Sequence, residues 1–567
     1  MIYLGIHNSY QAGAALIIDK NIIGAVSEER FNRVKDYHGF PHLSIDYLLK
    51  TANIELKDID RIVYGMVTSE VPKKEVFEKL LKKVADGISE NPLLKNKYIE
   101  RIISEIEWNQ KHLIEINSWG KKNKVNDKIS FVDHHYSHAA GAFYSSPFVD
   151  ALIFTCDGKG NFKTSCVGMG NGEKIILHDF TTTFDSVGYF YGNITKALGF
   201  TPERHEGKIT GLAAYGNPDN FKWFTNDIMS IKDDMIKMKI GKHYLPWFVD
   251  PEELPAFFNQ IKKYKPEDVA AAAQYTLENI IIKWVQRSIE KYHSSSKANV
   301  CLSGGVFANV KLNQKIREIT SVKNVFVQPA MGDMGIPLGS CFAQMQKEKN
   351  PFKKFISSMA LGPKYSPEFI ESHLIDQNYE YKIIEVMEKQ FVSLLNQGKV
   401  IGFFQGGMEF GPRALCNRSI MYHCRDRSVN DWLNKRLNRT EFMPFAPVTT
   451  EDLASSCFLG WKSNDRSSDF MTMTYTVTDR FNKSCPAAVH IDGTARPQII
   501  RKKVNPQMYD IITYFNKTSG DLALINTSFN NHEEPIVCRV EDALESLDRG
   551  NVDCIIIDNF LVNPKIK

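Results

Sequence analysis

Short apolar runs separated by polar turns open the chain: Tyr3-Leu4-Gly5-Ile6, then Ala14 to Ile18, then Ile22 to Val26. The intervening turns hold His7, Asn8, Ser9 and Tyr10, and then Asp19-Lys20-Asn21. Runs of this length bounded by turn residues predict three strands joined as hairpins. The spacing then changes. Ile45, Leu48, Leu49 and Ala52 recur at helical intervals, and Ile62-Val63-Tyr64 follows as another strand. Residues 71–122 are charged and helical in pattern, and Ile129 to Val132 reads as a strand. The same grammar restarts at 151, with a strand to Cys156, a glycine-rich turn Asp157-Gly158-Lys159-Gly160-Asn161, and a strand from Ser165 to Met169. A long helix from about Val269 to Tyr292 precedes the strand Val300-Cys301-Leu302, and Val325-Phe326-Val327 leads into Gly332-Asp333. Two β-rich then α-rich halves, about 1–150 and 151–346, suggest an internal duplication at the level of pattern. The polar stretch from Lys347 to Lys354 is the linker, and Val400 to Phe404 is a buried-type strand in a second αβ unit.

Composition narrows the class. The chain has 567 residues, 43% hydrophobic and 24% charged, which is ordinary for a globular protein with several domain-sized units. Seventy basic residues against 66 acidic ones give a formal charge of +4, too balanced to argue for a nucleic-acid partner. The 10 cysteines are scattered without a CxxC pair, so neither a zinc ribbon nor a thioredoxin-like site is indicated. With no signal-peptide pattern and no apolar run of membrane-spanning length, the expectation is a reducing cytoplasm and no membrane.

Candidate chemistry lies at the strand ends. His134 and His138 stand four apart after a strand, so a helix there puts both imidazoles on one face. With Asp157 and Asp333 from other elements they make a candidate site for a first-row transition metal. Ser303-Gly304-Gly305 through Asn309 opens a helix, where two readings stand: backbone close to a nucleotide, or a tight connection that needs glycine. In the second unit, arginines including Arg413, Arg418, Arg439 and Arg496 accompany Asn526, a residue set suited to clamping an oxyanion.

At these residues the chain resembles the NodU/CmcH-type O-carbamoyltransferases. The resemblance rests on Glu28-Glu29-Arg30-Phe31, Asp133 to Ala139, Glu206-Gly207-Lys208, Ser303-Gly304-Gly305 and Gly332-Asp333. It continues through Phe410 to Leu415, Asn417-Arg418-Ser419-Ile420, Asp492-Gly493-Thr494 and Asn526 to Asn530. It implies an α/β protein with a duplicated actin-like (ASKHA/TsaD-type) N-terminal domain, 1–346, a linker over 347–360, and a YrdC-like domain, 361–567. By resemblance the second domain makes carbamoyl adenylate from carbamoyl phosphate and ATP, with Mg(2+) accompanying ATP. The first passes the carbamoyl group to an acceptor hydroxyl. The resemblance further implies Fe(2+), or another divalent transition metal, on His134, His138, Asp157 and Asp333. It implies nucleotide contacts at Gly158, Gly160, Gly304, Gly305 and Asn309, and carbamoyl phosphate contacts at Arg413, Arg418, Arg439, Arg496 and Asn526. Lys35 and Lys208 are expected on the acceptor side, and a monomer or homodimer is expected. The alternatives are a nucleic-acid acceptor, disfavoured by the charge balance, and a catalytically impaired ATP-binding homologue.

Departures from the family pattern are specific. Tyr10 stands where the family has the histidine expected to act as base, so His7, three residues earlier, is the second candidate. Gly407 replaces an arginine, and Cys416 replaces a glycine.

Overall fold

The computed structural model describes residues 1–90, 92–240, 244–293 and 297–565, so residue 91 of the charged helical stretch lies outside the described residues. By compactness the chain divides in two. The first unit comprises residues 1–9, 14–21 and 48–355, and the second comprises 10–13, 22–47 and 356–567.

Strands β1 (Ile2–His7), β2 (Gly13–Ile18), β3 (Asn21–Ser27), β4 (Arg61–Tyr64) and β5 (Ile129–Phe131) form one sheet in the order β3-β2-β1-β4-β5. Strands β1, β4 and β5 run parallel. A second sheet contains β6 (Asp150–Gly160), β7 (Lys163–Asn171), β8 (Lys174–Thr182), β9 (Ala298–Ser303) and β10 (Val322–Val327), in the order β10-β9-β6-β7-β8. Here β6, β9 and β10 are parallel, with β7 and β8 antiparallel beyond β6. Read from opposite edges, the two orders are the same: three consecutive strands, then two parallel ones on the far side of the first. The restart in the apolar pattern at 151 is thus a restart in topology.

The charged stretch forms two helices, α1 (Lys74–Glu90) and α2 (Lys95–Lys122). Helix α3 (His134–Tyr144) follows β5; α4 (Pro266–Tyr292) and α5 (Val310–Arg317) flank β9; α6 (Ile336–Lys347) follows β10. Helices α3 and α6 occupy equivalent places in the two halves and pack on each other. Their backbones meet at glycine: a Cβ on Gly339 would lie 2.1 Å from the Ser137 carbonyl oxygen and 3.2 Å from the Gly141 nitrogen. That contact gathers the carboxyl ends of the parallel strands, where open α/β sheets place their ligands.

One expected turn moves. Asp157 to Gly160 belongs to β6, whose pairing with β7 shifts register between Cys156 and Gly160. The chain reverses at Asn161-Phe162 instead, both left-handed with φ of 51° and 63°. Glycine in this strand therefore marks an irregularity where another group comes close, not the reversal.

The second unit is built on an eight-stranded sheet. Its strands are β11 (Tyr381–Ile383), β12 (Ile401–Phe404), β13 (Arg418–His423), β14 (Ala446–Thr450), β15 (Gln498–Ile500), β16 (Leu524–Ser528), β17 (Cys554–Ile557) and β18 (Phe560–Val562). The order is β11-β18-β17-β12-β13-β16-β14-β15. Helices α7 (Met387–Asn396) and α8 (Pro506–Ser519) pack together over a core containing Phe391, Ile401, Phe403, Ile512 and Phe515. Each such side chain contributes roughly 1.5–3 kcal/mol by leaving water. Among the described residues, no helix is long and apolar enough to cross a membrane.

The helix contact yields a prediction. Gly339→Val forces α3 from α6, and we expect a loss of about 1–3 kcal/mol from overpacking. Urea denaturation would show it as a lower midpoint; an unchanged midpoint would mean that the helices separate without cost.

Candidate functional site

Asp133 ends the turn after β5 and starts α3: its Oδ1 accepts from the Tyr136 backbone at 3.1 Å, capping the first turn. Its Oδ2 takes an ion pair from Lys163 on β7 at 3.1 Å. Burial works against this carboxylate, yet Lys163 and the cap hold its pKa below the usual range. The cap fixes the rotation of α3 and so decides where three histidines point.

His135 turns away from the other two, with Nδ1 2.9 Å from the Thr155 hydroxyl. Burial, with His134 beside it, pushes His135 down to about 3, so it is neutral. His134 and His138, one turn apart, face two carboxylates. The His138 Nε2 lies 3.0 Å from Asp157 Oδ2 and 3.4 Å from Asp333 Oδ1; the His134 Nε2 lies 3.9 Å and 3.6 Å from the same oxygens. Donor atoms of all four residues lie within 4.8 Å of one another. Ligands about 2.1 Å from a first-row metal are separated by roughly 3.0–3.4 Å at right or tetrahedral angles. The spacing fits such an ion.

The hydrogen bonds around the cluster point the same way. The Ser303 hydroxyl donates to the Met331 carbonyl at 3.1 Å, so toward His138 Nδ1, 3.0 Å away, its oxygen accepts. The Nδ1 therefore carries the hydrogen, and Nε2 directs its lone pair into the space between the carboxylates, the tautomer and orientation that a hydrogen-bond partner behind the ring imposes on a metal-binding imidazole. A proton on Nε2 would meet the same two carboxylates. Burial opposes the charge, but the hydrogen bond to Asp157 and the carboxylates of Asp157 and Asp333 prevail and lift His138 to about 9. Burial would raise Asp157, while His134 and His138 hold it well below the carboxylate range. Both ring nitrogens of His134, and Asp333 Oδ1, are buried without a hydrogen-bond partner among the described residues. A buried polar atom left so costs roughly 1–3 kcal/mol, a penalty that coordination removes. The donor set, two imidazoles and two carboxylates, suits Fe, Mn, Zn and similar ions alike.

The remaining expected residues divide. His7 ends β1, is fully buried, and has its Nε2 3.7 Å from Asp333 Oδ2, so it joins the cluster's edge. Tyr10 belongs to the second unit, where its ring centroid lies 5.2 Å from that of His38; Lys35 is half-buried in the same unit. Lys208 is buried in the first unit, with Nζ 5.7 Å from the Phe200 ring centroid.

Each glycine of the expected nucleotide set has a close neighbour or a backbone bond. A Cβ on Gly160 would lie 2.1 Å from the His134 ring, and one on Gly305 3.1 Å from Asp157 Oδ1. Gly304 has φ +104° and presses on the Cys156 carbonyl. Gly158 N donates to Asp157 Oδ1 at 2.7 Å, and its carbonyl accepts from Ser186 at 2.8 Å. These glycines let backbone close around the two-histidine, two-aspartate cluster. Asn309 caps α5 through Leu312 N at 3.0 Å and exchanges amide hydrogen bonds with Gln274. Its amide is committed within the protein. Ser303 and Lys163 were missed as supports because neither belongs to a ligand-like spacing; only three-dimensional contact reveals them.

In the second unit Arg413, Arg439 and Arg496 cluster. Burial lowers all three guanidinium pKa values, Arg439 to about 10, and Arg413 adds to the effect on Arg496. Glu441 is the acid that offsets each of them. Arg439 is fixed by the Ser528 and Asn530 carbonyls at 2.7 and 2.6 Å. Three cations around one carboxylate form a site short of negative charge. Arg418 does not belong to it: fully buried, it donates to the carbonyls of Gln405, Asn417, Pro363 and Gly406 and stacks 3.5 Å over Phe404. Its role is to tie loops together. Asn526 is buried with Nδ2 2.6 Å from Gln498 and 3.3 Å from the Ala414 carbonyl, while its Oδ1 has no hydrogen-bond partner. Cys416 has φ +72°, which explains a glycine as the ordinary residue there.

Comparison with known proteins now identifies the chain's relatives. A family profile described as Carbamoyltransferase N-terminus matches residues 3–342, and one described as Carbamoyltransferase C-terminus matches residues 392–564. MJ1051 of Methanocaldococcus jannaschii is 32% identical over the whole of both chains. The nodulation protein NolNO of Sinorhizobium fredii is 30% identical over 98% of this chain and 79% of its own. The protein sll1178 of Synechocystis is 29% identical over 99% of this chain and 96% of its own. The chain belongs to the carbamoyltransferase family, of the NodU/CmcH type, and is a transferase of carbamoyl groups.

The geometry predicts metal content. His138→Ala and Asp157→Ala should each lose bound first-row metal by elemental mass spectrometry, and Ser303→Ala should weaken its affinity about 10–100-fold. His135→Gln should keep it. Equal loss in all four variants would show that the helix had unfolded, and equal retention would remove the cluster as the metal site.

Proposed function

We propose that the protein is an ATP-dependent O-carbamoyltransferase with an actin-like N-terminal catalytic domain, 1–346, and a YrdC-like domain, 361–567. The observation that carries this reading is the buried His134–His138–Asp157–Asp333 cluster with His7 at its edge, which provides for a phosphate and for a proton together. The repeated strand order supports the actin-like assignment.

The C-terminal domain forms the donor. Arg413, Arg439 and Arg496 hold the dianionic phosphate of carbamoyl phosphate, since guanidinium groups short of carboxylates bind oxyanions with charge-assisted hydrogen bonds. The group moves to the α-phosphate of ATP, consuming one water and releasing phosphate and pyrophosphate. The product is a mixed anhydride, carbamoyl adenylate.

Transfer occurs in the N-terminal domain. His134, His138, Asp157 and Asp333 would hold a divalent first-row metal, iron being the family expectation, and it would supply a Lewis acid there. The acceptor hydroxyl attacks the carbamoyl carbon, the carbon–oxygen bond to phosphate breaks, and AMP leaves. His7 Nε2 takes the hydroxyl proton, and Asp333, 3.7 Å away, stabilises the imidazolium that forms. Tyr10 is the weaker base, since a phenol with an unperturbed pKa of about 10 is protonated at neutral pH.

The first test is pyrophosphate release on mixing the protein with ATP, Mg(2+), Fe(2+) and carbamoyl phosphate. Its absence would overturn the adenylate route. Arg496→Met should raise KM for carbamoyl phosphate by about 10–100-fold, as expected for losing a charged hydrogen bond. Labelled carbamoyl phosphate offered with hydroxylated small molecules and hydroxymethylated nucleic acid would reveal the acceptor. With that acceptor, His7→Asn should lower transfer about 10²–10⁴-fold while sparing pyrophosphate release. Full transfer by His7→Asn would remove His7 as base and turn attention to Tyr10.

A further inference from the structure

The motif Glu28-Glu29-Arg30-Phe31 carries part of the family resemblance, yet neither the metal cluster nor the arginine cluster absorbs it. After β3 it forms a one-turn helix, Glu29–Asn32, closed by Arg33, whose backbone donates to the Glu29 carbonyl at 3.1 Å. By compactness residues 22–47 belong to the second unit, and the side chains of this turn bind two of its loops. Glu29 and Arg30 are both buried. Glu29 Oε1 pairs with Arg30 Nη1 at 2.7 Å, and its Oε2 accepts from the Asp36 backbone at 2.6 Å. The other prong of the Arg30 fork, Nη2, donates to the Gly411 carbonyl at 3.1 Å. Arg33 holds a second loop, donating to the Ile536 and Pro535 carbonyls at 2.7 and 2.8 Å. Between these two arms Phe31 packs on Met408 and Ala414 of the first loop and on Ile536 and Cys538 of the second.

Both loops lead to arginines of the cluster. The first is closed at its base by Glu409, whose Oε1 accepts from the Leu415, Asn417 and Arg418 backbones at 2.6, 2.7 and 3.1 Å. Gly411, where Arg30 holds it, stands two positions before Arg413. In the second loop the Val537 backbone donates to the Phe529 carbonyl at 2.9 Å, and Asn530 Nδ2 donates to the Glu534 carbonyl at 2.7 Å. The Asn530 carbonyl in turn accepts from Arg439 at 2.6 Å. Arg33 therefore braces the segment that fixes Arg439, and Arg30 braces the one that carries Arg413. Guanidinium groups, with two donor prongs in a fixed plane, suit this task better than ammonium groups do.

We propose that Arg30 and Arg33 are positioning residues of the carbamoyl phosphate site, holding Arg413 and Arg439 in one arrangement without touching substrate. The inference rests on the donor site proposed above. It makes that site a product of both ends of the sequence, since a turn near the N-terminus braces loops more than 370 positions later.

Two variants of the full chain test it. Arg33→Met removes one arm; Arg30→Lys keeps a cation beside Glu29 but puts a single ammonium where the fork served two partners. In steady-state pyrophosphate release, KM for carbamoyl phosphate should rise about tenfold in Arg33→Met and about threefold in Arg30→Lys, the scale of a lost charged hydrogen bond, with KM for ATP within about twofold. A merely structural role would lower kcat by removing active protein and leave both KM values alone, and that pattern in both variants would overturn the proposal. Phosphonoacetamide, with CH₂ in place of the bridging oxygen of carbamoyl phosphate, gives a readout without turnover: its affinity by calorimetry should fall by the same factors. Wild-type binding with equal affinity in both variants would overturn the positioning role and leave the carbamoyl phosphate site standing. Wild-type binding without pyrophosphate release would remove the adenylate route alone, and the calorimetric comparison would still decide for or against Arg30 and Arg33. If Arg33→Met does not fold, Arg33→Lys replaces it, with an expected loss of about threefold; unchanged affinity there would count against the proposal in the same way.

Discussion

Asp157 and Asp333 both approach the same ring nitrogen of His138, and two carboxylates so placed need a positive partner between them. Without one, like charges in a site screened from water would drive a proton onto one carboxylate. The rest of the first unit arranges that partner. Helix α3 brings two imidazoles with the correct nitrogens forward, Ser303 sets the tautomer of one, and the Asp133 cap sets the helix itself. The glycine contact between α3 and α6 brings Asp333, from the second half, against histidines from the first. A protonated His138 can supply that positive charge, and a divalent ion would meet the same demand with more bonds. The cluster is thus an electrostatic requirement before it is a catalytic device.

Much of this was legible in the sequence because the informative features are local. Apolar spacing located the strands, and the four-residue interval located one face of a helix with His134 and His138 on it. What spacing cannot show is rotation. His135 lies between the two ligands and carries the same chemistry, yet the cap at Asp133 turns it toward Thr155. The glycines misled for a related reason. Asp157 to Gly160 has a turn-like composition, but Gly160 is there because the His134 ring comes close. A close approach between distant segments leaves no local pattern.

Arg418 and Asn309 make the complementary point about polar residues. The resemblance puts Arg418 at carbamoyl phosphate and Asn309 at a nucleotide, yet most of their hydrogen-bonding groups are spent on the protein's own backbone or on a neighbouring amide. A shared motif identifies the family, but it does not separate side chains that touch ligand from those that hold the loop in shape. Burial and partner inventory make that separation. Arg413 and Arg496 remain near each other with a single offsetting acid, while Arg418 has carbonyl partners around its guanidinium.

The two units therefore carry opposite deficits. The first gathers carboxylates that call for a cation, and the second gathers guanidinium groups that call for an anion. Under the proposed reaction, a mixed anhydride of carbamate and adenylate would answer both. Making it requires holding a phosphate dianion beside a nucleotide, which is work for fixed positive charge. Consuming it requires a polarised phosphate, a departing AMP and a destination for one proton. In the proposed reaction that destination is His7, at the end of β1 and against Asp333, although the family's pattern places its base three residues later. If the proton goes to His7, Tyr10 is released from acid–base duty. Its substitution for histidine is then a change in what the hairpin presents to the acceptor rather than a loss of the reaction.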